Sequence, residues 1–396
     1  MKLRFAVILV AVLPTAGAEG IADLLAKQDL ENASVQLSLG LMYRTGEGGA
    51  KNSAEAVKWF RKAAEQGKAD AQTILGLMYR IGDGEGVLKD SAEAVKWYRR
   101  AAEQEVVEAQ FNLGFMYDYG EGVPRDISEA AKWYRRAAEN GVAEAQLNLG
   151  KIYAEGDSAL KDGAEAVRWY RAAAEQGVAE AQFNLGLMYA NGMGVPVNVA
   201  EALTWLHQAA EQGMAEAQTM LGLRYRNGAG VPRDSAEAAK WLVSAADLGV
   251  GEAQFALGSM HAGGEGVPKD AFEAVRWYRK AAEQGSAPAQ YRLGVMYGAG
   301  DGVPADSVEA VRWFRKAAEL GNSAAQFALG SAYRNGDGVL RDQIQAHFWW
   351  SMAGARGDEN IRRQLVIMES EMTAEQRAAA MRLEAERLGP FIRNIK

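Results

Sequence analysis

Tryptophan stands at positions 59, 97, 133, 169, 205, 241, 277, 313 and 349, an interval of 38 once and of 36 seven times. A Leu-Gly pair keeps the same rhythm, at Leu39-Gly40, Leu75-Gly76, Leu113-Gly114, Leu149-Gly150, Leu185-Gly186, Leu221-Gly222, Leu257-Gly258, Leu293-Gly294 and Leu329-Gly330. Two markers locked in phase over nine periods make residues 33–358 an array of one unit. A unit of this size cannot bury its apolar face alone, so neighbours must stack and share a continuous core. That excludes a set of independent globular domains.

Residues 107–142 stand for the unit. Ala109, Leu113, Met116 and Tyr117 fall at helical spacing and predict a first helix, A. The loop Gly120–Pro124 breaks it. Asp126, with Glu129 three residues on, then reads as a capping box that starts a second helix, B. Helix B presents Ala130, Trp133, Tyr134, Ala137 and Ala138 as its apolar stripe, which leaves Lys132, Arg135, Arg136 and Glu139 to solvent. Gly141 closes it, as Gly67, Gly177, Gly213, Gly249, Gly285, Gly321 and Gly357 do elsewhere. Glu105 breaks that series and the same unit carries two extra residues, so 69–106 is expected to be the least regular repeat. The glycine inside helix A weakens the helix by itself, which predicts close approach of a neighbouring helix there.

The motifs A-E-A-Q-x-x-L-G-x-x-Y, G-x-G-V-P-x-D and A-E-A-x-x-W-x-x-x-A-A-E-Q-G, clearest in 143–214 and 251–322, resemble the Sel1-like repeat family, relatives of the tetratricopeptide repeat. The resemblance covers about four-fifths of the chain. It implies an all-α fold: a right-handed α-solenoid of nine helix-turn-helix repeats, with terminal capping helices. His261 departs from the pattern at the helix A tyrosine; Leu88, Leu160, Leu340 and Ala50 replace the loop proline.

Outside the array, Met1–Ala18 has a basic start (Lys2, Arg4), an apolar run Phe5–Leu13 and an Ala16-Gly17-Ala18 cleavage site. It reads as a secretory signal peptide cut after Ala18, its apolar run being far short of the ~20 residues a membrane span needs. Residues 19–32 form an N-terminal capping segment around Ile21, Leu24, Leu25 and Leu30. Residues 359–396 are expected to form C-terminal capping helices over 360–372 and 373–388, the second opened by Thr373 with Gln376. The protein is therefore expected in the periplasm or outside the cell, with no membrane span.

The 396 residues carry 44 basic and 51 acidic side chains, a net charge of −7, which argues against nucleic-acid binding. With no cysteine there is no disulfide framework, thiolate metal site or thiol nucleophile. His207 holds the usual arginine position of helix B, His261 a tyrosine position and His347 a small apolar one, so the three histidines form no metal site. Ser158-Ala159-Leu160-Lys161 matches the Ser-x-x-Lys of penicillin-binding enzymes but overlays a degenerate loop, with no S-D-N or K-T-G partner. Arg356-Gly357-Asp358 reads as a helix stop rather than an adhesion motif. Neither a catalytic residue nor a cofactor or metal site is expected.

Residues that vary within a fixed frame carry the binding signal. Two before the helix A glycine stand Asn112, Asn148 and Asn184, then Met220, Ala256 and Arg292. One after it come Phe115, Lys151 and Leu187; five after it, Tyr119, Glu155, Asn191, Asn227 and Asn335. These positions form one ridge on helix A. By resemblance to the tetratricopeptide repeat that ridge lines a concave groove, where Asn can pair with a peptide backbone. Asn112, Phe115, Tyr119, Asn148, Lys151, Asn184, Asn191, Asn227 and Arg292 are thus the candidate groove residues. The expected role is a scaffold or adaptor for another protein or an extended peptide in the bacterial envelope. The alternatives are binding of peptidoglycan or another carbohydrate through Phe115 and Tyr119 and, by family analogy alone, a β-lactamase-like hydrolase.

Overall fold

The computed structural model describes residues 20–27, 29–82, 87–155, 160–355 and 359–393. The expected leader over 1–18, Ser158 and the Arg356-Gly357-Asp358 triplet lie outside them. Among the described residues every regular element is a helix. They fall into two compact units, Met1–Asn198 and Val199–Lys396. The first holds α1 (Ile21–Lys27), α2 (Ala33–Thr45), α3 (Ser53–Glu65), α4 (Ala69–Ile81), α5 (Ser91–Glu103), α6 (Val107–Tyr119), α7 (Ile127–Glu139), α8 (Ala143–Glu155), α9 (Gly163–Glu175) and α10 (Ala179–Asn191). The second holds α11 (Val199–Glu211), α12 (Ala215–Asn227), α13 (Ser235–Asp247), α14 (Gly251–Gly263), α15 (Ala271–Glu283), α16 (Ala287–Ala299), α17 (Ser307–Glu319), α18 (Ser323–Asn335), α19 (Gln343–Gly354), α20 (Glu359–Glu371) and α21 (Ala374–Arg393).

Within each unit A and B helices alternate and pack on their neighbours in sequence. The glycine inside helix A is where the two helices of a repeat close up. A Cβ on Gly114 would lie 2.8 Å from the Tyr134 ring, and one on Gly76 2.6 Å from that of Tyr98. Phe60, Tyr170, Tyr278, Phe314 and Trp350 fill the same place, and Leu242 does so opposite Gly222. So the residue after the marker tryptophan, not the tryptophan, packs on the glycine. Trp133 itself is half-buried.

Asp126 accepts from the Glu129 N–H, and Asn52, Asp90, Asp162, Asp234, Asp270, Asp306 and Asp342 cap their helices likewise. The reciprocal half of the expected box is not made. The cap N–H donates instead to the helix A tyrosine carbonyl, as Asp126 N does to Tyr117 O at 3.0 Å. The freed glutamates turn outward: Glu93, Glu165 and Glu201 accept from the indole N–H of Trp97, Trp169 and Trp205 at 3.0, 3.1 and 3.0 Å. A reciprocal box does open α21, where Thr373 N donates to Gln376 Oε1 and Gln376 N to Thr373 Oγ1.

Two polar systems join repeat to repeat. Arg135 is not simply solvated: it donates to the hydroxyl of Tyr153 on the next helix A. Arg61, Arg99 and Arg171 do the same to Tyr79, Tyr117 and Tyr189, and Arg279 and Arg315 to Tyr297 and Tyr333 at 2.6 Å each. His207, standing in an arginine's place, reaches Tyr225 at 3.1 Å. Buried glutamines form the second system. Gln146 Nε2 donates to Ala138 O on the preceding helix B at 3.0 Å, while its Oε1 accepts from Gln176 at 2.8 Å.

In the repeat over 69–106, α4 and α5 are 13 residues long, like their counterparts. Among its described residues the departure is at Glu105, which adopts the left-handed conformation (φ 66°) that glycine holds elsewhere; the loop with the two extra residues, over 83–86, lies outside the described residues. At the C-terminal end α20 starts one residue early, and α21 runs on to Arg393 rather than stopping near 388.

Candidate functional site

The most interconnected part of the predicted ridge lies in the first unit, and it is built around Arg80, which the motifs did not single out. Arg80, at the end of α4, is only 6% exposed. Its Nε lies 3.3 Å from Glu121 Oε2, its Nη1 donates to Asn112 Oδ1 at 3.1 Å, and its guanidinium sits 4.2 Å from the Phe115 ring centre. Phe115 in turn stacks on Tyr119, centroids 4.4 Å apart and planes 25° off parallel. Tyr119 is 66% exposed. An exposed phenol is thus held by an aromatic ring that a buried cation backs.

Glu121 is the counter-charge. It also takes Lys89 at 3.0 Å and the Ser91 hydroxyl at 3.2 Å. Burial pushes its carboxyl up, but Lys89 and Arg80 outweigh that and hold it below the ordinary carboxylate range. Asp118, half-buried beside Tyr134, goes the other way: burial raises it, against the pull of Arg125.

The predicted asparagines are less free than a peptide clamp requires. Asn112 accepts from Arg80 and donates to Glu108 O at 2.8 Å. Asn148 is half-buried near the Tyr134 hydroxyl, which donates to Asp118 Oδ2 at 3.5 Å, and Lys151 is paired with Glu180 on α10. Tyr134 feels the charges of both Asp118 and Tyr119, so Asn112, Phe115, Tyr119, Asn148 and Lys151 belong to one neighbourhood. Asn184 is half-buried and Asn191 exposed on α10, continuing that face by register. Asn227, Arg292 and Asn335 are exposed in the second unit, on α12, α16 and α18, where several other ridge positions are small, as at Ala256, Ser259, Ala328 and Ser331.

Arg80 and Glu121 did leave a trace in the sequence. Arginine four residues after the helix A glycine recurs as Arg44, Arg226 and Arg334; Arg226 finds Glu265 in the next repeat at 3.0 Å and Arg334 finds Glu371 on α20 at 3.3 Å. A pocket of about 580 Å³ lies at the C-terminal end, lined by Ser323, Ala324, Phe327, Ala353, Asn360, Ile361 and Gln364. Among the described residues no group of three or more His, Asp or Glu is placed to hold a metal, and no helix is long and apolar enough to cross a membrane.

The Sel1 repeat model matches nine times in succession, at 33–68, 69–106, 107–142, 143–178, 179–214, 215–250, 251–286, 287–322 and 323–358. The chain is similar to the crystal structure of a protective antigen present in uropathogenic Escherichia coli strains and displaying an SLR fold. That match has 34% identity over 94% of this chain and 95% of that one, with a TM-score of 0.56. A Sel1 repeat protein from Oxalobacter formigenes is 38% identical over 78% of this chain and 90% of its own, with a TM-score of 0.63. No curated protein matches. With the period, the helix pairs and these relatives in agreement, the chain belongs to the Sel1 repeat family and is a Sel1 repeat scaffold protein.

Proposed function

We propose that the protein is exported to the periplasm or beyond, and there binds another protein through the helix A face of its first unit. Export rests on the leader-like Met1–Ala18 segment, and a relative that is a protective antigen fits that location. The observation that carries the binding proposal is the Arg80–Phe115–Tyr119 stack. Interfaces draw most of their energy from a few aromatic and arginine anchors. An exposed tyrosine already immobilised by stacking loses little entropy on binding. With Asn112 occupied inside the chain, the ring, Asn191 and the exposed edges of Asn148, Asn184 and Lys151 supply the contacts. The work is binding, with affinity gathered along several repeats, and no turnover is assigned to the chain. A sugar ring is the second occupant considered, because Phe115 covers one face of Tyr119 and stacking on the other is what a pyranose uses.

The test is crosslinking of tagged Glu19–Lys396 in the envelope of its own host, beside Tyr119→Ala and Tyr119→Phe variants. One defined protein captured by the wild type and by Tyr119→Phe, and reduced at least about tenfold by Tyr119→Ala, supports an anchor worth ~1.4 kcal/mol or more. Recovery of glycan fragments alone would replace the protein partner by a sugar. Equal capture by all three forms places the contact on another face.

A further inference from the structure

His347 stands where the other repeats carry Val, Ala or Leu, yet it is 5% exposed on α19 and faces carboxylates from two different helices. Its Nε2 lies 2.9 Å from Glu369 Oε1 on α20, and its Nδ1 3.4 Å from Glu384 Oε1 on α21. Both helices pack on α19, against Ala346, Trp350 and Ala353, with Ile361, Met368, Met372 and Ala380 completing the cluster. We propose that His347 is a proton-operated latch: its imidazolium fastens the C-terminal helix pair over the last repeat, and loss of the proton releases the pair.

The chemistry is that of a ring with two nitrogens and two anionic neighbours. The imidazolium has an N–H for each carboxylate. The neutral ring has one, so one carboxylate must face a lone pair of a ring that is itself buried; Glu384, its side chain 23% exposed, is the more enclosed of the two, Glu369 being 42% exposed. No other ionisable side chain lies on α19. Arg334 on α18 is engaged with Glu371, and Arg377 on α21 donates to the carbonyls of Glu369 and Met372, so neither takes over the role of the lost cation. The remaining charges of α20, and those described on α21, are exposed.

The direction of pH dependence follows. Glu384, and then Glu369, raise the imidazole above its ordinary 6.5 against the opposing effect of burial. The stabilisation is complete below that value and is lost as pH rises through the folded-state midpoint. Glu384 is affected first by burial, which raises it, but His347 and Ser351 hold it below its ordinary 4.5. Its share is present above 4.5 and fails only as pH falls through the depressed value. The pair is therefore fastest held in mildly acidic solution and loosens toward alkaline pH. Release uncovers the side of Trp350 that packs on Ile361, Met368, Met372 and Ala380, Phe348 and Trp349 being held mainly by the preceding repeat.

Hydrogen exchange of the full chain, corrected for the intrinsic pH dependence of the amide rate, reads this directly. Between pH 6 and 8.5 the open population of α20 and α21 should rise about tenfold for each pH unit by which the fold raises the imidazole midpoint. The helices α14 to α17 should stay unchanged. His347→Gln should flatten the dependence, and Glu384→Gln should move the release to lower pH. If His347→Gln frees the cap at every pH, the Glu384→Gln shift decides. Equal protection at both pH values in the wild type, or an unshifted midpoint in Glu384→Gln, overturns the latch.

Discussion

Glu105 occupies a position that only backbone conformation explains. The glycines at 67, 141, 177, 213, 249 and 285 share its left-handed φ, and a Cβ at any of them would touch nothing within 4 Å. They are required for φ rather than for space. Glu105→Gly should therefore stabilise the first unit by about 1 kcal/mol, relieving left-handed strain that exceeds the entropy glycine adds to the unfolded chain. A rise in the urea midpoint at constant m-value would show it; an unchanged midpoint would mean that Glu105 makes compensating contacts. The glutamine ladder has its own exceptions. Gln110, Gln218 and Gln290 each keep an Oε1 without a partner, and their repeats replace the donor glutamine by Asn140, Leu248 and Leu320. Asn140 is too short and bonds back to Arg136 O. Leu248 and Leu320 are 61% and 58% exposed, so little burial is lost on changing them. Leu320→Gln should add about 1 kcal/mol by satisfying Gln290, with Leu248→Gln doing the same for Gln218. Thermal melts of the single and double variants test this, and because the sites are separate the gains should add. The joint at Val243 and His261 makes the same point: where the Arg–Tyr bond is absent, both partners have been replaced.

At the scale of the helix pair, the glycine of helix A trades propensity for proximity. Alanine would improve the helix by about 1 kcal/mol, yet at Gly114 its methyl would sit 2.8 Å from the fully buried Tyr134 ring, whose hydroxyl donates to Asp118 Oδ2 at 3.5 Å. The ring cannot swing away freely, so overpacking should win and Gly114→Ala should destabilise by about 1–2 kcal/mol net. Denaturant unfolding with unchanged helicity checks the sign; a gain in stability would show that the joint has slack. This pairing was only half legible beforehand. Periodicity and caps gave helices A and B and the need for a close neighbour at the glycine. They did not say that the neighbour is the ring after the tryptophan, because spacing along one helix carries no distance to another. Nor could they show that Glu93 serves the Trp97 indole rather than its own cap, since both receivers lie within reach of the same side chain.

For the molecule as a whole, each repeat touches its sequence neighbours, so stability should be the sum of repeat and interface terms within each unit. Local weak points such as Glu105 or the joint at Val243 and His261 are then where opening begins. The expected export makes one sharp prediction: protein recovered from its own host should begin at Glu19, as read by intact mass or terminal sequencing. A chain beginning at Met1 would return the protein to the cell interior and remove the envelope partner with it.

Period, helix pairing, caps, helix stops and family were all determined by the sequence, because each depends on residues within one turn or one repeat of one another. The candidate face was determined only in outline. Phe115, Tyr119 and the asparagines were found as variable positions, but the tertiary structure decided which remain available, tying up Asn112 while leaving Tyr119 open. It also decided that Arg80 lies buried behind the ring and that His347 sits between Glu369 and Glu384. Those contacts join side chains 22 to 41 positions apart. A repeat fixes where each backbone goes, but which long polar side chain wins a shared acceptor is settled only when the helices are packed and water is gone.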